Sequence, residues 1–71
     1  QRSGDLAATH ATMAEHYYLN GELLPAIEQL EQGLRNPGLS PNQEAQLRAR
    51  LKQIRAEAIA QGLPVPKRDA P

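Results

Sequence analysis

Apolar and small residues recur at helical spacing in three runs along this chain, and the runs are separated by residues that do not continue a helix. In the first run Leu6, His10, Met13 and Tyr17 stand at i, i+4, i+7 and i+11, with Ala7 and Ala14 beside them. This predicts a helix from about Asp5 to Leu19 that buries the Leu6-His10-Met13-Tyr17 face. Asn20-Gly21 tolerates positive φ and so predicts a tight reversal, pairing the first helix with the second as a helical hairpin.

The second run, about Glu22 to Asn36, repeats the pattern with Leu23, Ile27, Leu30 and Leu34, and places Glu28, Glu31, Gln32 and Arg35 on other faces. Pro25 falls in its first turn, where the amides lack intrahelical acceptors and a missing N–H costs nothing. Asn36-Pro37-Gly38 then predicts a stop. Ser40-Pro41-Asn42-Gln43 predicts a fresh start, with a serine N-cap, a proline at the first helical position and a capping-box glutamine. The third helix should run to about Gln61, with Leu47, Leu51, Ile54 and Ala58 in a stripe and Ile59 next to it. Gly62 should cap it. Residues 1–4 read as linker, and the proline-rich, charged stretch over 62–71 reads as a disordered tail. The predicted domain therefore spans residues 5–61 and is all-α, with a hairpin and a third helix.

Composition narrows what such a domain does. A chain of 71 residues buries only about 60% of the surface its unfolded form exposes, and with no cysteine it has neither disulfide nor thiolate metal site to staple the core. Helix packing must supply the stability. Eight basic and eight acidic side chains cancel, so no net field draws the chain to nucleic acid or anionic lipid, and a protein or peptide is the expected partner. No apolar run reaches the roughly 20 residues needed to cross a bilayer, so membrane insertion is not expected.

Small residues at Ala14, Ala26 and Gly33, set against bulky Tyr17 and Leu30, suit two closely packed antiparallel helices. The order Ala7, His10, Met13, Ala14, Tyr17, Gly21, Ala26, Ile27, Leu30, Gly33, Leu34 resembles the tetratricopeptide repeat, a helix–turn–helix unit of about 34 residues. It departs from that pattern at His10, in place of the usual tryptophan, at Gly33, in place of alanine, and at Pro37, one residue early. The third helix lacks a tyrosine and a following Gly-turn, and reads as the capping helix of a repeat array.

Taken together, Ala14-Glu15-His16-Tyr17-Tyr18-Leu19-Asn20-Gly21, Ala26-Ile27-Glu28-Gln29-Leu30 and Ala45 to Arg55 resemble the C-terminus of bacterial exported zinc metallopeptidases. These are similar to the β-barrel assembly-enhancing protease. The resemblance implies a periplasmic setting and a non-catalytic domain that engages proteins. Zinc would belong to a peptidase domain outside this chain. It also implies a partner-binding face on the first helix at Ala8, Ala11, Glu15, Tyr18 and Leu19. The alternative is a generic repeat scaffold, unrelated to a peptidase, that self-associates.

Nothing in the residues predicts chemistry of the chain's own. His10 and His16 are six positions apart and point to different faces, unlike the i, i+4 pair of an HExxH zinc site. His10 is expected at the hairpin interface and His16 in solvent. Glu15, Glu28 and Glu31 read as solvated carboxylates, and Arg48, Lys52 and Arg55 as a solvated basic stripe, with Glu44 pairing to Arg48 at i, i+4. No catalytic residue, metal ligand or cofactor site is expected in this chain.

Overall fold

The computed structural model describes residues 5–65 and contains three helices among them, α1 (Asp5–Leu19), α2 (Leu23–Leu34) and α3 (Pro41–Ala60). The linker expected at residues 1–4 and most of the expected tail, residues 66–71, lie outside the described residues. The chain is all-α, with α1 and α2 packed as an antiparallel hairpin and α3 laid mainly on α2.

Each helix end has an identifiable local cause. Beyond α1, Gly21 adopts φ +80°; its N–H donates to the Tyr18 carbonyl at 3.0 Å, and the Glu22 N–H to the Tyr17 carbonyl at 2.9 Å. This is a Schellman motif, in which a residue with positive φ folds the chain back onto the last carbonyls. Beyond α3 the same motif recurs. Gly62 has φ +80°, with its N–H on the Ile59 carbonyl at 2.9 Å and the Leu63 N–H on the Ala58 carbonyl at 3.0 Å. At the start of α3 the Ser40 hydroxyl accepts from the Gln43 N–H at 3.1 Å, while Gln43 Oε1 accepts from the Ser40 N–H at 3.1 Å. The capping box expected at this position is thus complete, with Pro41 behind it. In the α2–α3 connection Asn36 Oδ1 accepts from the Gly38 N–H at 3.2 Å, fixing the turn through Pro37.

The core is small and wholly apolar. Its buried residues are Ala7 and Ala14 of α1, Leu23, Ala26, Ile27 and Leu30 of α2, and Leu47, Ile54 and Ala58 of α3. The expectations for α2 and α3 hold, with Leu34 and Leu51 half-buried at the edges. Ile59 is 59% exposed.

The expected buried face of α1 needs correction. Leu6 is 56% exposed and Met13 39%, whereas Ala7 and Ala14, one position further along the helix, are sealed in the core. His10 and Tyr17 of the expected face stay half-buried, while Leu6 and Met13 give way to Ala7 and Ala14, about 100° further around the helix. The cause is the closeness of α2. A Cβ added at Gly33 would stand 3.2 Å from His10 Cβ and 3.3 Å from Leu47 Cδ1, so at this point of the seam there is no room for a larger side chain. His10 sits half-buried there, its Nδ1 2.8 Å from Gln29 Oε1, as the hairpin-interface reading expects.

The segment after α3 differs from the tail expected from position 62 onward. Leu63 and Val65 are half-buried and pack against the core. The Schellman turn at Gly62 aims the chain back toward the bundle, and both residues are apolar enough to stay there.

Candidate functional site

Helix α3 meets α1 only sparingly, and the meeting is polar. Pairs run in the same direction along both helices, Glu15 with Arg50 and Tyr18 with Glu57, so α1 and α3 are parallel. Between them runs a groove of about 420 Å³. Its floor is Ala7, Ala8, Ala11, Leu30 and Leu47; its walls carry Thr12 and Glu15 from α1, and Gln43, Gln46 and Arg50 from α3. The groove exists because α1 contributes alanines on this side. Small side chains leave α1 and α3 apart although both pack on α2.

At one end the groove is bridged. The Arg50 guanidinium donates to Glu15 through Nε at 2.6 Å and Nη2 at 2.8 Å, a fork-to-fork pair, and through Nη1 to Gln53 Oε1 at 2.8 Å. Its Cζ lies 4.7 Å from the centre of the Tyr18 ring, in range of a cation–π contact. The Tyr18 hydroxyl donates to both oxygens of Glu57, at 2.9 and 3.1 Å. These contacts displace the titrations together. The hydrogen bond from Arg50, with its charge, holds the Glu15 carboxyl below the usual glutamate range against a smaller opposing effect of burial. The bond to Glu57 pushes the Tyr18 hydroxyl up, and the bond to Glu15 pushes Arg50 up.

The five residues expected to form the partner face fall into two groups. Ala8, Ala11 and Glu15 line the groove. Tyr18 is half-buried under Arg50 and tied to Glu57, so its aromatic surface covers α3, and Leu19, 81% exposed, stands just past the bridge. Arg50 and Glu57 are the members of the bridge that the sequence does not single out. Spacing is the signal that could have found them: three residues after Leu47 and four before Ile54, Arg50 shares the flank of the buried stripe, as Glu57 does three residues after Ile54. The expected Glu44–Arg48 pair forms at 2.7 Å on the outer surface of α3. His16 is exposed, as expected, and among the described residues no three histidine, aspartate or glutamate side chains gather as a metal site.

Comparison with protein-family models, curated proteins and solved structures returns no match for this chain.

Proposed function

We propose that the chain is a non-catalytic protein-interaction module whose α1–α3 groove receives a segment of another protein. The observation that carries this is the groove itself. It combines an apolar floor with a hydrogen-bonding rim, and the three helices hold it open without filling it. Concave, mostly apolar surfaces with a few placed polar groups are where proteins bind ligands. The sequence resemblance supports a more specific setting, as the C-terminal, partner- or substrate-engaging part of an exported zinc metallopeptidase of the periplasm, with catalysis in another domain.

The test is to capture envelope proteins on the wild-type chain and on Ala8→Trp. Ala8 is exposed and lines the groove, so an indole there fills the cleft while the helices stay intact, which circular dichroism checks. Partners of the groove drop out of the Ala8→Trp capture. Equal recovery of every captured protein would count against the groove.

A second reading, a self-associating scaffold, is favoured by the outward Leu6 and Met13 of α1. Sedimentation across a concentration series separates the two, because a monomer at all concentrations removes self-association.

A further inference from the structure

The two ends of the groove are electrically unlike. Because α1 and α3 are parallel, their N-termini lie at the end lined by Ala7 and Gln43, and their C-termini lie beyond the Glu15–Arg50 bridge. A helix carries roughly half a positive charge at its N-terminus and half a negative charge at its C-terminus, so two parallel helices reinforce each other at both ends. Side chains add to the negative pole. Arg50 pairs with Glu15, and Glu57 is bonded to the neutral Tyr18 hydroxyl, so among the described residues of this bridge one cation faces two carboxylates. Glu57 moreover stands in the last turn of α3, where the helix dipole favours a cation over a carboxylate.

We propose that the groove takes a protein segment with an apolar body and a lysine or arginine at the end that comes to rest beside Glu15 and Glu57. This rests on the interaction reading above and gives the partner a chemistry. The apolar body meets the alanine, Leu30 and Leu47 floor. The basic head meets the Glu57 carboxylate just past the bridge, and its methylene stem lies along Leu19, one turn past Glu15 and 81% exposed. An acidic residue at the same end is rejected, since like charges brought together at an interface act against the wrong partner.

A phage-displayed library of random peptides, selected on the full chain, tests this without a known partner. A parallel selection on Ala8→Trp removes peptides that bind elsewhere. Groove-dependent peptides are expected to carry lysine or arginine, in excess of aspartate and glutamate, at one end of an apolar stretch. Measured by fluorescence anisotropy, the tightest of them should weaken about 3- to 5-fold on Glu57→Gln, as for an exposed ion pair, and weaken further with salt. Glu57→Gln keeps a carbonyl acceptor for the Tyr18 hydroxyl, so the loss reports charge. Groove-dependent peptides without a basic excess, or indifferent to Glu57→Gln, would overturn the charge assignment and leave the groove standing. A selection in which no peptide depends on position 8 would overturn both.

Discussion

Helix α1 has two neighbours and meets them by opposite means. Against α2 it offers Ala7, Ala14 and the Cβ of His10, with Ala26 and Gly33 opposite, and the seam is close and mainly apolar, crossed by the His10–Gln29 hydrogen bond. Against α3 it offers Glu15 and Tyr18, and the junction is a polar bridge at one end of an open groove. The hairpin is therefore held mainly by close packing, with one side-chain hydrogen bond, whereas α1 and α3 are joined chiefly by charge and hydrogen bonds at a half-exposed site. A close seam tolerates no added volume. A polar bridge can lose a member and leave the fold standing, which is the property a binding groove needs.

The sharpest way to break this contrast is at Gly33. Gly33→Val puts branched carbons against His10 and Leu47, and should cost about 1–3 kcal/mol of stability, as overpacking of a core does. Gly33→Ala should lose much less, because alanine gains up to about 1 kcal/mol of helix propensity over glycine. Urea denaturation followed by circular dichroism measures both. A Gly33→Val chain as stable as wild type would mean that the helices can separate without cost.

The bridge should give a smaller effect of a different kind. A double-mutant cycle on Glu15→Gln and Arg50→Met should return a coupling below about 1 kcal/mol, since the pair is partly solvated, and lower still in molar salt. The pH dependence follows from the lowered Glu15 pKa. The carboxylate's contribution is complete above its unfolded value of about 4.3, declines as pH falls below that, and is gone once pH passes below the folded value. Wild type and Glu15→Gln should thus converge in stability in acid. Divergence there would place the coupling elsewhere.

The smallest effect belongs to Leu6. Leu6→Gln should change stability by no more than about 0.5 kcal/mol, because the side chain is 56% exposed and leaves no cavity behind. A large loss would return Leu6 to the buried face that its spacing suggests.

Much of the fold is legible in the sequence because the signals are local. Gly21, Gly62, Ser40 with Gln43, and Pro41 each act within a few residues of backbone, so the sequence carries them at the point of use. The inward face of α1 is not legible in the same way. Leu6 and Met13 outweigh Ala7 and Ala14 in a reading by hydrophobicity, and although the small-residue pattern points Ala14 at the second helix, only the approach of α2 decides that Leu6 and Met13 stay outside. The bridge joins positions 35 and 39 residues apart, and no periodicity within one helix links Glu15 to Arg50 or Tyr18 to Glu57. Ala8, Ala11 and Glu15 are placed on one side of α1 by the resemblance, but the wall opposite them comes from α3 and is visible only once the helices are assembled.

The seam of small residues also bears on conformational entropy. Alanine and glycine have no side-chain rotamers to surrender on burial, while long side chains lose up to about 2 kcal/mol each. Ala7, Ala14, Ala26 and Gly33 therefore bring two helices together without freezing a χ angle of their own, and none of the four can hop between rotamers once the seam has formed. For a chain this short, that saving makes the hairpin a stiff base on which the groove can keep its shape before a partner arrives.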